Sequence, residues 1–370
     1  MKLNEFINKI KEINDNSWGY GNEILYLMGK DINALNDPQK LAGAIWIIGR
    51  SYAASPQRRS YGNSNKNIND YAKISKGKKT RPIWPVKTQN DGREGFFDKI
   101  AKDLNISCLN YLLKNYNNSL SYSFSYPTKK NEVKKESKIK DLLGKDRELL
   151  IKSIAAVLSF NSALSKSIEA FDDVPSSRKY DGNDIKCNNH ISFASKFLHF
   201  YFPNLIFIVD GFACNGGKAL FSVRKNDKKY IITPADDDHY FEAEIYDNFK
   251  NDTVKAIVDD ITQEIAKEPG VSITRSKSKS NIDQKNESNE NGGDEEIEGT
   301  DYISHCVRSY LLGAFLKSYH IDPKPCIETD KTFQPMPRLT DAVFLNIKKE
   351  LTPKEKANQK ALQELYYDKV

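Results

Sequence analysis

The chain has 370 residues, with 56 Lys and Arg against 50 Asp and Glu, a formal net charge of +6 and five cysteines. This length suits one large domain or two ordinary ones, and the lack of a run of about 18 apolar residues argues against a transmembrane helix. The first residues lack the apolar stretch of a secretory signal, and five scattered cysteines argue against a disulfide framework. We therefore expect a globular protein of the reducing cytoplasm.

The predicted elements are mostly helices. Apolar residues recur at helical spacing from Leu41 through Ile45 and Ile48 to Tyr52, which predicts the first helix. Further helices are predicted near Phe96 to Leu104, Leu109 to Leu113, Leu142 to Phe160, Phe193 to Phe202, Tyr240 to Ile265, Tyr302 to Tyr319, Arg338 to Lys348 and from Pro353 onward. Strands are predicted at Leu205 to Val209 and in a hairpin of Ala219 to Val223 with Tyr230 to Thr233. The predicted fold class is mainly α, with a small β-hairpin insertion.

Residues 271–300 carry no aromatic side chain and no apolar period, which predicts a disordered linker. The predicted organisation is a helical domain over 1–270, the linker over 271–300, and helices over 301–370 that complete the domain. The linker has four basic and seven acidic residues, so it carries −3 and the rest of the chain +9. Residues 73–93 alone carry +6 around Trp84. They are either a solvated loop or a phosphate-binding patch in which Trp84 is a stacking or wedge residue.

The segment from His190 to Gly217 contains the candidate chemistry. Lys196 lies among aromatic residues, which favours the neutral, nucleophilic form of its amine. Asp210 follows an apolar run and precedes a predicted helix start, so we expect it to be held rigidly. Ser192 and Ser195 are predicted to cap the first helix of this segment, which would leave backbone N–H groups for a phosphate.

The order Ser-x-x-Ser-Lys, an apolar helix, a Pro turn and then Ile-Val-Asp resembles the helix-hairpin-helix DNA glycosylases. By that resemblance Lys196 and Asp210 match the catalytic lysine and aspartate of the superfamily. The stretch AIWIIGRSYAASPQRR from Ala44 to Arg59 is similar to an N-terminal signature of bacterial proteins with an 8-oxoguanine glycosylase-like fold, many encoded near antiviral defence genes. The FFDKIA stretch at Phe96 and the PRLTDAVFL stretch at Pro337 resemble later blocks of the same group.

The resemblance implies an enzyme that flips a damaged or modified base out of double-stranded DNA and cleaves its bond to the sugar. Lys196 would then attack C1′ and form a Schiff base, which adds AP-lyase activity, and Asp210 would stabilise positive charge on the sugar. Defence association adds phage-modified bases as candidate substrates. No cofactor is expected, because no four closely spaced cysteines suggest an iron–sulfur cluster.

Further contacts to DNA or to the flipped base are predicted from residues around the two signatures. The candidates are Trp46, Arg50, Tyr52, Arg58, Arg59 and His199. Each has an ordinary structural alternative: the aromatics as core residues, the arginines as surface ion-pair partners, and His199 as a buried, hydrogen-bonded histidine. Trp46 and Arg50 are four residues apart and can share one helix face.

Other patterns are weaker. Cys187, His190, His199 and Cys214 fit no standard zinc spacing, and no metal is expected. The acidic run at 236–238 before His239 is better explained as a helix start than as a metal-dependent nuclease. Two functions other than a glycosylase remain open: a non-catalytic DNA-binding module on the same fold, and an interaction protein that uses the linker and the C-terminal helix.

Overall fold

The protein is described by a computed structural model over residues 3–16, 20–52, 96–115, 120–124, 143–169, 178–180, 183–185, 190–221, 251–268, 271, 273, 299–325 and 335–351. The α-helices in these ranges are α1 Leu3–Asn16, α2 Tyr20–Gly29, α3 Pro38–Ser51, α4 Phe96–Asp103, α5 Asn110–Asn115, α6 Asp146–Glu169, α7 Ile191–Tyr201, α8 Gly211–Phe221, α9 Asn251–Ile265, α10 Gly299–Ser318 and α11 Met336–Leu351. Two 3-10 helices occupy Ile32–Asn36 and Ile106–Leu109. Strands β1 (Arg178–Tyr180) and β2 (Asn183–Ile185) pair in antiparallel register.

The described part is mainly helical, which confirms the coarse fold class. The predicted helices correspond to α3 to α7 and to α9 to α11, with ends that differ by a few residues or more. Helix α6 is long and apolar enough to cross a membrane by length and composition alone, but 67% of its most apolar 18-residue window is buried. It packs against α7, α9 and α10, so its place in the fold is that of a central core helix.

Helices α8 and α11 make the most extensive helix pair in the described part, and a glycine permits their close approach. A Cβ added to Gly216 would lie 2.0 Å from the carbonyl oxygen of Phe344. Only a residue without a side chain fits against that backbone. Helix packing thus explains the glycine at this position. The contact joins a helix before the predicted linker to one after it.

Residues 205–209 form a buried segment without helix or strand between α7 and α8. The prediction of a strand here is wrong, because no other described strand pairs with it. Its backbone instead bonds to side chains, since buried carbonyls need donors. Leu205 accepts from Tyr122, Ile206 from His199, Phe207 from Tyr302 and Ile208 from His305, while the Val209 N–H donates to Ser195. These bonds fix where the next residue, Asp210, can lie.

Two further boundaries differ from the prediction. Ala219 to Phe221 belong to α8 and not to a hairpin strand, because the helix that starts at Gly211 continues through them. The predicted linker is ordered at both ends: Val271 and Ile273 pack against the core, and Gly299 begins α10. The remainder of that hairpin and of the linker, the stretch 240–250 and the helix from Pro353 lie outside the described residues.

Candidate functional site

Lys196 lies in the second turn of α7 and is 6% exposed. Every residue of this helix is buried, and aromatic rings dominate its surroundings. Phe197 stacks on Phe160 of α6 with ring centroids 5.2 Å apart, and it also contacts Phe193. Lys196 is therefore buried on an aromatic-rich helix, as predicted.

Asp210 is the residue immediately before α8, and its carboxylate caps that helix. Its Oδ1 accepts the backbone N–H of Ala213 at 2.8 Å, and its carbonyl accepts the N–H of Cys214 at 2.9 Å. Its Oδ2 lies 3.7 Å from Nζ of Lys196, with side chains 26% and 7% exposed respectively. The predicted helix start is confirmed, and tertiary packing brings the two residues together as an ion pair longer than a hydrogen bond.

Tyr52, just beyond the end of α3, is the third member of this site. Nζ of Lys196 lies 5.6 Å from the centroid of its ring, and the guanidinium carbon of Arg338 lies 6.0 Å from the same centroid. Both distances are in the range of a cation–π attraction. The Tyr52 hydroxyl donates to Asn22 at 2.7 Å, which ties the ring to α2. Burial raises the pKa of Tyr52, so it is neutral at physiological pH.

Arg338 and Asp341 lie beside this site but were not among the residues predicted from the sequence. They lie one turn apart on α11 and form an ion pair through Nη1 of the arginine and Oδ2 of the aspartate. Asp341 is 1% exposed, and burial raises its pKa to about 7 although Arg338 opposes the shift. Nε of Arg338 and Oδ1 of Asp341 have no hydrogen-bond partner among the described residues. The sequence contains a pattern that could have indicated this ion pair: two opposite charges lie three residues apart within the largely apolar PRLTDAVFL stretch.

His199 is a structural residue, and its predicted contact to DNA does not fit its placement. It is fully buried, with Nδ1 2.7 Å from the carbonyl of Ile206 and Nε2 2.7 Å from the hydroxyl of Tyr26. Because a carbonyl can only accept, Nδ1 carries the proton and Nε2 accepts from Tyr26. Burial lowers the pKa of His199 to about 3, so the ring is neutral.

Ser192 and Ser195 do not cap α7, and that prediction is wrong. The N-cap residue is His190, which makes no side-chain capping bond, and both serines lie inside the helix. Ser195 is fully buried, donates its hydroxyl proton to the carbonyl of Ser192 and accepts the N–H of Val209, both at 3.2 Å. Its hydroxyl therefore joins α7 to the buried segment 205–209. A phosphate contact from either serine stays an untested prediction.

Trp46 lies on the outer side of α3 with 46% of its surface exposed, so it is not a core residue. Ile47 beside it is 37% exposed, and Phe212, two residues after Asp210, is 45% exposed. Arg50 lies in α3, but its side chain is outside the described part. Arg58, Arg59 and Trp84 also lie outside the described residues, so their predicted DNA contacts remain predictions.

Within the described ranges no three His, Cys, Asp or Glu side chains are placed to hold a metal ion. Cys214 and Cys306 are buried free thiols, and burial raises the pKa of Cys214 to about 12. Cys187 lies outside the described part of the chain. Comparison with protein-family models, with curated proteins and with solved structures gives no match to this chain. The resemblance to the glycosylases therefore depends on the quoted residues alone.

Proposed function

We propose that this protein is a DNA glycosylase with AP-lyase activity, acting on a damaged or modified base in double-stranded DNA. The observation that carries the proposal is the 3.7 Å separation of Nζ of Lys196 from Oδ2 of Asp210. An amine beside a carboxylate, both held by helices, is the pair that such chemistry needs. The charge of +9 outside residues 271–300 supports a polyanionic substrate. Phage-modified bases are included among the candidate substrates.

In the proposed reaction the base leaves the stack, and the bond between its nitrogen and C1′ breaks with the electron pair on the base, which takes up a proton. Lys196 passes its ammonium proton to the leaving base and, as the neutral amine, bonds to C1′, and the proton that its nitrogen then loses goes to solvent. Asp210 stabilises the positive charge that develops on the sugar. Opening of the sugar ring gives the Schiff base, from which strand cleavage can follow.

The test is borohydride trapping on a duplex that carries an abasic site, because borohydride reduces a lysine Schiff base to a stable bond. The wild-type protein is expected to give a covalent complex that is absent with Lys196→Gln. Lys218→Gln is the matched control, because Lys218 is a half-exposed lysine on α8 that pairs with Asp301. Trapping that survives Lys196→Gln would show that another amine reacts. Duplexes with uracil, hypoxanthine, 8-oxoguanine or 5-hydroxymethylcytosine then identify the base.

A non-catalytic DNA-binding module is the second candidate, and an interaction protein that recruits a partner is the third. The exposed Trp46 favours the DNA-binding module, since an aromatic ring at the surface can stack on a base. Binding of the abasic duplex without trapping or base release would support that module. A protein that does neither would leave the interaction role as the better explanation.

A further inference from the structure

Two cations from different helices lie near the Tyr52 ring, and each pairs with a carboxylate. Lys196 comes from α7, Asp210 from the start of α8, and Arg338 and Asp341 from α11. The two cations both lie within 6.0 Å of the ring centroid, and each has a carboxylate partner. The sum of the four formal charges is zero. Loss of Arg338 would therefore leave the Asp341 carboxylate, which is 1% exposed, without its paired charge.

We propose that the Arg338–Asp341 pair is a positioning unit that sets how easily the Lys196 amine gives up its proton. Asp341 favours the ammonium form, and Arg338 opposes it. Neither residue needs to touch the substrate, because each acts through its charge on Lys196. The inference deepens the proposed function and rests on it for the reaction that the amine performs, but the charge coupling itself can be measured without DNA.

The pKa of Asp341 indicates an electrostatic interaction between Asp341 and Lys196. Lys196 lowers the pKa of Asp341 and Asp210 raises it, although burial is the largest influence and Arg338 the next. Interaction between two titrating groups is mutual, so the same attraction holds the proton on Lys196. Asp341 can be this effective because it is 1% exposed and therefore poorly screened by water.

The other helices packed on α11 do not bring further charges to Asp341 among the described residues. Helix α10 faces α11 with His305 and Arg308, but His305 contacts the ring of Phe344, and Arg308 lies near Gly217. Helix α1 contributes no group to the pKa shift of Asp341.

The first experiment measures the pH dependence of reductive methylation of Lys196 by formaldehyde and cyanoborohydride, read by peptide mass spectrometry. Amines titrate well above pH 7, where Asp341 is ionised. Asp341→Asn should therefore move the midpoint for Lys196 down by about one pH unit, and Arg338→Gln should move it up. Because the two shifts have opposite signs, a general loosening of the fold cannot produce both, and either variant alone still tests the sign if the other fails to fold.

The matched control is Asp301→Asn, which removes a carboxylate that pairs with Lys218 on another part of α8. It should leave the Lys196 midpoint unchanged. Lys40, which pairs with Asp31, serves as an internal reference in the same digests. Unchanged midpoints in both α11 variants, or shifts of the same sign, would overturn the inference.

The second experiment separates this inference from the proposed function. Borohydride trapping on the abasic duplex is followed against pH for wild type and Asp341→Asn, and the profile of the variant should lie about one unit lower. Wild-type trapping with identical profiles would keep the function and refute the positioning role. Opposite methylation shifts without any trapping would keep the charge coupling and refute the glycosylase.

Discussion

Lys196 and His199 are two of the buried polar side chains of helix α7, and they differ in what surrounds them. Both nitrogens of His199 are used by bonds of 2.7 Å inside the protein, and the ring is neutral. Lys196 points to a carboxylate 3.7 Å away that is itself a quarter exposed, and it shares an aromatic ring with a second cation. Burial alone does not identify a functional residue. Lys196 differs from His199 because it is charged and its neighbours come from other helices: Asp210 precedes α8, and Tyr52 follows α3.

The largest expected effect on stability comes from His199. His199→Ala leaves the Ile206 carbonyl and the Tyr26 hydroxyl without their partner and opens a cavity, so it should lower the free energy of unfolding by about 4 kcal/mol. Lys196→Met should lower it by only about 1 kcal/mol, because Asp210 retains contact with water and its capping bond.

Urea denaturation of both variants measures the difference in stability. Borohydride trapping on abasic DNA measures whether each variant still forms the Schiff base. Lys196→Met is expected to abolish trapping although it stays folded. Equal losses of stability at the two positions would mean that Lys196 contributes as much to the fold as His199. The proposed difference between the two residues would then be refuted.

The second prediction concerns the contact that sets α8 against α11 and so brings Asp210 near Asp341. Gly216→Ala should cost about 3 kcal/mol, because its Cβ would meet the backbone of Phe344 at 2.0 Å. Gly217→Ala is the matched control, since its Cβ would make ordinary contacts at 3.5 Å or more. Thermal unfolding measured by circular dichroism compares them, and a similar melting temperature in both would contradict the close-packing interpretation.

The third prediction uses the pH dependence of stability. Burial lowers the pKa of His199 to about 3 and that of His305 to about 4, both below the ordinary value of 6.5. The unfolded chain therefore binds more protons below pH 6.5, and stability falls as the pH drops from there. Asp341 acts with the opposite sign, because its folded pKa of about 7 lies above its ordinary value. With two histidines against one carboxyl, the three groups together should cost about 2 kcal/mol of stability between pH 6.5 and 4.5.

His305→Gln should flatten this dependence, because the amide can still donate to the carbonyl of Ile208 but does not titrate. His320→Asn is the control, because His320 is exposed beyond the end of α10 and asparagine tolerates its left-handed backbone. Urea midpoints at a series of pH values provide the measurement. A slope that is the same in wild type and His305→Gln would exclude the buried histidine as its source.

The sequence predicted the helices well because their apolar residues recur at helical spacing, as in α3 from Leu41 to Ile48. It also placed Lys196 in an aromatic helix and Asp210 at a helix start, since both depend on neighbouring residues. The strand at Leu205 to Val209 was wrong for a physical reason: an apolar run shows that a segment is buried, but not what bonds to its backbone. Its partners come from residues as distant as Tyr122 and His305.

By itself the sequence determined a mainly helical protein with an amine and a carboxylate on either side of a buried segment. Only the tertiary structure decided that the amine and the carboxylate lie close together. It also decided that His199 and Ser195 make hydrogen bonds inside the core, and that Arg338 and Asp341 lie beside the site. Local spacing sets secondary structure, whereas contacts between α3, α7, α8 and α11 depend on how helix surfaces pack, down to a single missing Cβ at Gly216.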